Sequence, residues 1–177
     1  MKVALVIPAA GSGERLGKGI PKALVDIAGA PLLRRTLERL AAATNFAETI
    51  VLAPADDLER FRDVVAGAPA ALGSVRVLAG GATRQQSVAE GVAAVSAAVE
   101  LIAVHDAARP LVDAEAVRAV LREAALVGAA TVASRPSDSV RMDNDSGVTV
   151  ALDRAKLWLV ETPAFSEAHK PEATSPR

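Results

Sequence analysis

Short aliphatic runs alternate with amphipathic segments along most of the chain. Continuous Val, Ile and Leu positions are typical of strands buried on both faces, whereas apolar residues three and four positions apart are typical of helices that cover a sheet. The aliphatic runs predict five strands, at residues 2–8, 48–54, 74–78, 100–105 and 129–134. The amphipathic segments predict four helices, at residues 31–43, 56–66, 83–96 and 113–127.

The start of a helix is often marked by a side chain that can accept a hydrogen bond from the first free backbone N–H groups. Thr83 and Asp113 stand at such positions and are the expected N-caps of the third and fourth helices. The regular order of strand and helix then predicts an α/β fold. We expect a doubly wound, mostly parallel sheet with helices on both faces.

The pattern changes after the fifth strand. Residues 138–142 and 148–152 flank the sequence Asp-Asn-Asp-Ser-Gly, which predicts a β-hairpin with a glycine turn. Its strands are poor in apolar residues, so we expect an arm at about residues 137–153 that projects from the body and pairs with a second subunit. Residues 1–165 are expected to form one domain, and residues 166–177 a disordered tail without periodicity.

Composition narrows the function classes. The chain has 177 residues, a net charge of −1 and no cysteine, which excludes disulfides, thiolate metal sites and cysteine nucleophiles. The mixed charges give no sign of a nucleic-acid or membrane surface, and no apolar run approaches the ~20 residues of a membrane helix. The apolar start is short and runs into charged residues, so we do not expect a signal peptide. A cytoplasmic protein is the expectation.

In an open parallel sheet, ligands bind beyond the carboxyl ends of the strands. The first strand opens into PAAGSGERLGKGIPKAL, where glycines surround Arg15 and Lys22 follows Pro21. Glycines allow close approach of the backbone, and the two cations favour an anionic ligand, although turn glycines are also common in purely structural loops. A dinucleotide site is disfavoured because no helix follows the glycines directly, and the Gly-Lys-Ser/Thr of a P-loop is missing.

The fourth strand ends in VHDAARP. Asp106 is either a structural partner of Arg109 or a carboxylate that holds Mg²⁺ against substrate phosphates. His105 beside it is expected to face the core. The only other histidine, His169, lies in the tail, so a metal site with several histidines is not expected.

The third strand is followed by GGATRQQSV, residues 80–88. Its two glycines and Ser87 could read a nucleotide base with backbone amides and one hydroxyl. The same residues could equally form only a turn from strand to helix. A serine hydrolase is disfavoured because no serine stands in a Gly-x-Ser-x-Gly elbow.

Together, PAAGSGERLGKGIPKAL, GGATRQQSV and VHDAARP resemble the 2-C-methyl-D-erythritol 4-phosphate cytidylyltransferases of the non-mevalonate isoprenoid pathway. The first segment is shared with many sugar nucleotidyltransferases, and the other two narrow the resemblance to the cytidylyltransferase branch. The resemblance extends through LDRAKLWLVETP and covers residues 2–165. It implies a Rossmann-like nucleotidyltransferase fold, a homodimer joined by the arm, Mg²⁺ as cofactor, and CTP and a sugar-alcohol phosphate as substrates.

The resemblance also implies roles for single residues. Arg15 and Lys22 correspond to the cations that stabilise the transition state, and Asp106 to the residue that holds Mg²⁺ and, with Ala107, the ribose. The nucleotide-binding positions implied in the two glycine segments are Pro8, Ala9, Ala10, Gly11, Gly13, Gly81, Ala82 and Ser87. The positions implied for holding the second substrate are Ser139, Arg154 and Thr162, the first two acting in the partner subunit's site.

The implied reaction suits these residues. An acceptor phosphate attacks the α-phosphorus of CTP and pyrophosphate leaves, so catalysis depends on positioning and on neutralising two anions. The nucleophile is already an anion at neutral pH, and no histidine or cysteine base is needed.

This sequence departs from the family pattern at three places. Ala23 and Ala164 replace residues that are usually Gln, and nothing after Phe165 matches the family's later strand, helix and substrate-binding lysine. Loss of one phosphate-directed donor costs about 3–4 kcal/mol of transition-state stabilisation, so we expect impaired activity in the chain as given. Three alternatives stay open: ribitol-5-phosphate cytidylyltransferase, another sugar-phosphate nucleotidyltransferase, and a CTP-binding remnant without catalysis.

Overall fold

The computed structural model describes residues 1–11, 20–143 and 147–168. Its ten strands are β1 (Val3–Pro8), β2 (Asp26–Ile27), β3 (Ala30–Pro31), β4 (Glu48–Ala53), β5 (Ser74–Ala79), β6 (Leu101–Val104), β7 (Ala129–Ser134), β8 (Arg141–Asp143), β9 (Thr149–Ala151) and β10 (Leu159–Glu167). The four α-helices among the same residues are α1 (Leu32–Ala43), α2 (Leu58–Val65), α3 (Arg84–Ala93) and α4 (Ala114–Val127).

A six-stranded sheet forms the centre of the fold, in the order β5-β4-β1-β6-β10-β7. Strand β1 pairs in parallel with β4 and β6, and β4 pairs in parallel with β5. Strand β10 pairs antiparallel with both β6 and β7, so among the described strands of this sheet it runs in the direction opposite to the other five. The α/β class with a mostly parallel, doubly wound sheet is therefore confirmed.

The core lies on both faces of the sheet, as the side-chain alternation along β1 shows. Leu5 and Ile7 pack into the larger cluster, which also takes residues from α1, α2 and α4. Ala4 and Val6 point to the opposite face and pack in a smaller cluster beside α3. Each of these four side chains is fully buried, so the strand is aliphatic at every position.

Both predicted helix caps are confirmed. The Thr83 hydroxyl accepts from the Gln86 N–H at 3.1 Å, and the Gln86 side chain accepts from the Thr83 N–H at 3.1 Å, which is a complete capping box. The Asp113 carboxylate accepts from the Ala116 N–H at 2.8 Å. Helix α3 ends at Ala93, three residues before the predicted end.

Strand β10 is a feature that the sequence did not predict. It runs to Glu167, so Ser166 and Glu167, which the sequence assigned to the tail, belong to the sheet. Residues 169–177 lie outside the described part, and the disorder expected there stays a prediction. A second unpredicted feature is the β2–β3 hairpin, where Ala28 and Gly29 both have positive φ, as a tight two-residue turn requires.

The predicted hairpin is present as β8 and β9, which are shorter than expected and pair with each other alone among the described strands. The middle of its turn, residues 144–146, lies outside the described residues. No helix in the described ranges is long and apolar enough to cross a membrane.

Candidate active site

A cavity of about 570 Å³ opens at the carboxyl ends of β1, β5 and β6. The sheet order reverses between β1 and β6, because β4 and β5 extend to one side of β1 and β6 lies on the other. Such a switch point leaves a crevice between the loops that leave the two strands. The described residues that line it are Pro8, Ala9, Ala10, Gly11, Lys22, Ala23, Gly81, Ala82, Thr83, Arg84, Ser87, Asp106, Ala107, Ala108 and Arg109.

The loop after β1 forms one wall. The Ala9 N–H donates to the Leu52 carbonyl at 2.7 Å, which fixes the start of the loop against β4. Lys22 begins a single 3₁₀ turn, Lys22–Leu24, and contributes to the cavity wall. Gly13 and Arg15, which the sequence placed in the same site, lie outside the described residues.

The turn between β5 and α3 forms the second wall, and Gly80 allows it to pack closely. A Cβ at Gly80 would lie 2.7 Å from the Ala10 Cβ and 2.8 Å from the Ser87 Oγ. Real Cβ atoms do not approach other atoms so closely, so three segments meet here only because this residue is glycine. The predicted base-reading segment therefore borders the cavity.

Ser87 is buried in this wall, and its hydroxyl has defined partners. The Oγ lies 3.0 Å from the Thr83 carbonyl and 3.3 Å from the Gly81 carbonyl. Both partners are acceptors, so the hydroxyl proton is directed to them. With its proton directed to these carbonyls, the Ser87 oxygen presents lone pairs that can accept a hydrogen bond from a ligand.

The segment after β6 forms the third wall, and hydrogen bonds to α1 and β10 hold it in place. The buried Thr36 hydroxyl on α1 lies 2.8 Å from the Ala107 carbonyl and 3.0 Å from the Leu32 carbonyl. On the other side, the Asp106 N–H donates to the Thr162 hydroxyl on β10 at 3.3 Å. The positions of Asp106 and Ala107 are therefore fixed by two distant elements.

His105 is fully buried beneath this segment, as predicted. Its Nε2 lies 3.1 Å from the Arg109 carbonyl, which makes Nε2 the protonated nitrogen of the neutral ring. Its Nδ1 is buried and has no hydrogen-bond partner among the described residues. Burial lowers the pKa of His105, so the ring stays neutral at pH 7 and closes the turn that carries Asp106.

The charges of the described cavity wall favour an anion. Lys22, Arg84 and Arg109 supply three positive charges, and Asp106 supplies one negative charge. The Asp106 carboxylate accepts from Arg84 Nε at 2.9 Å and from Arg109 Nε at 3.1 Å. Arg84 was not among the predicted site residues, although its position in GGATRQQSV, after β5, is the sequence signal for it.

Two of the residues predicted to hold the second substrate, Arg154 and Ser139, lie outside the wall of the main cavity. Arg154 donates to the Ser137 carbonyl at 2.7 Å and borders a second cavity of about 500 Å³ at the base of the arm. Ser139 is exposed between β7 and β8. Among the three predicted residues, only Thr162 contacts a residue of the main cavity.

Comparison with known proteins identifies the family. The family model for IspD, 2-C-methyl-D-erythritol 4-phosphate cytidylyltransferase, matches residues 3–171. The chain belongs to this cytidylyltransferase family. The resemblance drawn from the three sequence segments is thereby confirmed.

Relatives and solved structures agree with the family match. The chain is 38% identical over 191 residues to 2-C-methyl-D-erythritol 4-phosphate cytidylyltransferase from Solibacter usitatus, with 96% of this chain and 78% of the relative covered. It is 43% identical over 165 residues to the bifunctional enzyme IspD/IspF from Clavibacter michiganensis, with 92% and 40% covered. The crystal structure of the cytidylyltransferase from Thermus thermophilus superposes with a TM-score of 0.70 at 34% identity, with 95% and 71% covered. The chain thus spans less than half of the bifunctional relative and about three quarters of the Solibacter relative.

Proposed function

We propose that this chain transfers the cytidylyl group of CTP to 2-C-methyl-D-erythritol 4-phosphate. The observation that carries the proposal is the cavity at the switch point, where a glycine-containing loop, the turn before Ser87 and three cations meet in a member of this family. The products are a CDP-alcohol and pyrophosphate.

The wall residues suit a cytidine nucleotide. Ser87 presents an acceptor, which complements the amino group of cytosine and not the carbonyl that uracil carries at the same position. Backbone at Gly81 and Ala82 lies in the same wall and can approach a flat base closely. Lys22 in the first wall and Arg109 in the third also line the cavity, where they can neutralise a triphosphate.

The reaction needs positioning more than proton transfer. An oxygen of the acceptor phosphate forms a bond to the α-phosphorus of CTP, and the bond from that phosphorus to the β-phosphate oxygen breaks. Pyrophosphate leaves with the electron pair. Of the two cations that the family resemblance implies, Lys22 lies in the described cavity wall, where it can stabilise the negative charge that accumulates on the phosphates. No side chain in this scheme has to accept a proton.

Magnesium is proposed as the cofactor, and the described cavity wall offers it one carboxylate, Asp106. Among residues 1–11, 20–143 and 147–168, no three carboxylate or imidazole side chains come together as a metal cluster. Asp106 alone would hold the ion, with phosphate and water oxygens completing the shell, which is the usual arrangement for Mg²⁺. When bound, the ion supplies positive charge that neutralises the phosphates.

We also propose a cytoplasmic homodimer joined by the arm. Strands β8 and β9 have three residues each, and an isolated two-stranded hairpin is marginally stable in water. Met142, Val148 and Val150 are exposed on this hairpin, which supports a partner surface against it. In such a dimer Arg154 and Ser139 would act in the partner's cavity.

The test is pyrophosphate release from CTP and Mg²⁺ with 2-C-methyl-D-erythritol 4-phosphate or ribitol 5-phosphate as the acceptor. We expect release with the first acceptor and a loss of about 10²-fold or more in Lys22→Ala, because a charge aimed at the transition state is removed. Lys2→Ala is the matched control, since Lys2 precedes β1 at the opposite end of the strand from the cavity. Preference for ribitol 5-phosphate would overturn the acceptor, and CTP binding without release would favour a non-catalytic remnant.

A further inference from the structure

The Asp106 carboxylate is held by two guanidinium groups from different segments. Arg84 approaches Oδ1 with Nε at 2.9 Å and Nη2 at 2.8 Å, and Arg109 approaches Oδ2 with Nε at 3.1 Å. Both oxygens of the carboxylate are thus engaged by cations.

The Arg84 contact joins two walls of the cavity. Arg84 is the first residue of α3, whose start is fixed by the capping box of Thr83 and Gln86. Asp106 belongs to the segment after β6, so the ion pair joins the second wall of the cavity to the third. The Arg109 pair differs, because both of its members belong to the same turn.

This geometry has an electrostatic consequence for nucleotide entry. A carboxylate that faces the cavity repels an incoming triphosphate, and the repulsion is strongest before any metal ion arrives. The two arginines reverse the local charge, since two positive groups surround one negative group.

We propose that Arg84 is a positioning residue for the nucleotide, which acts by holding and neutralising Asp106 so that CTP can enter the cavity without metal. The inference rests on the proposed function and names a residue that the family resemblance, as drawn above, leaves unassigned. The competing explanation is an ordinary surface ion pair, because the Arg84 and Asp106 side chains are 58% and 28% exposed and such pairs contribute little.

The experiment is calorimetric titration of CTP in EDTA, with the wild type, Arg84→Gln, Asp106→Asn and the double variant. We expect Arg84→Gln to weaken CTP binding about tenfold, a loss that corresponds to one uncompensated charge contact. In the Asp106→Asn background the same change should have no effect, because the charge that Arg84 neutralises is gone. Arg84→Lys should recover part of the affinity, whereas a role in helix structure alone would not respond to the charge.

Arg60→Gln is the matched control, because it removes an arginine–carboxylate pair with Asp57 that lies outside the cavity wall. An equal loss in the Asp106→Asn background would overturn the inference, because Arg84 would then contact the nucleotide directly. Unchanged affinity in Arg84→Gln would also overturn it and leave a surface ion pair. Failure of the folded wild type to bind CTP in either EDTA or Mg²⁺ would overturn the proposed function, and the inference with it.

Discussion

Replacing Gly80 by alanine tests how closely the walls of the cavity pack. The added Cβ would lie 2.7 Å from the Ala10 Cβ, 2.8 Å from the Ser87 Oγ and 3.3 Å from the Leu52 Cβ. The Ala10 and Leu52 atoms are attached directly to the backbone, so neither can swing away by a rotamer change. Relief therefore requires the loop after β1 or the start of α3 to move.

Overpacking of this kind costs typically 1–3 kcal/mol of folding free energy. An opposing gain of about 0.4–1 kcal/mol comes from the lower entropy of the unfolded chain, because Gly80 is not among the glycines with positive φ and alanine can adopt its backbone conformation. For a domain of this length each kcal/mol lowers the melting temperature by roughly 2–4 °C. The net cost is then at most about 2.6 kcal/mol, and the melting temperature of Gly80→Ala, measured by circular dichroism, should lie below that of the wild type by up to roughly 10 °C.

The same substitution should weaken CTP binding, because Ser87 and Ala10 both line the cavity. Gly11→Ala is the matched control for stability, since a Cβ at Gly11 meets nothing within 4 Å among the described residues. Its melting temperature should stay at the wild-type value or lie slightly above it, because the entropy gain in the unfolded chain meets no steric cost. A Gly80→Ala variant as stable as the wild type, with unchanged CTP affinity, would refute the close packing described here.

Two further predictions concern the support of the Asp106 turn. Burial lowers the pKa of His105, so as pH falls below about 6.5 the unfolded chain takes up a proton before the folded protein does, and the free energy of unfolding falls by up to about 1.4 kcal/mol per pH unit. His105→Gln should lose this pH dependence when unfolding by urea is measured at pH 7.5, 6.5 and 5.5. An unchanged dependence on pH would contradict the role given to His105. Thr36→Val leaves the buried Ala107 carbonyl without its donor at 2.8 Å, which should lower the free energy of unfolding by about 1–3 kcal/mol and weaken CTP binding. Thr36→Ser keeps the hydroxyl and should retain both the stability and the CTP affinity. Equal stability of the valine and serine variants in urea unfolding would contradict this role of Thr36.

The parallel part of the sheet could be predicted because each of its strands contains a run of Val, Ile, Leu or Ala, even though β4 begins with Glu48 and Thr49 and β5 includes Arg76. Strand β10 could not, because LVETPAFSE carries Thr162 and Pro163 in its middle, and a proline inside a run argues against a strand. In the structure the pairing with β7 shifts register between Val160 and Ala164, so Pro163 falls where the ladder is interrupted. A missing N–H is tolerated at that point.

The site could be predicted as far as residues follow the carboxyl ends of strands. Lys22, Ser87 and Asp106 all border one cavity because parallel strands bring their following loops to the same edge. The contact of Thr36 with Ala107 could not be found this way, since 71 residues separate the two positions and no local pattern records it. Side-chain pairing across walls, such as Arg84 with Asp106, likewise depends on packing and not on spacing.

The claim on which the whole account depends is that the cavity binds CTP. The most direct measurement is calorimetric titration of the folded chain with CTP, UTP and ATP in the presence of Mg²⁺. We expect saturable CTP binding and affinity at least about tenfold weaker for UTP, because the uracil carbonyl would face the Ser87 oxygen and could be paired only if the hydroxyl gave up its bonds to the Thr83 and Gly81 carbonyls. Equal affinity for CTP and ATP, or no binding of CTP by the folded protein, would contradict it.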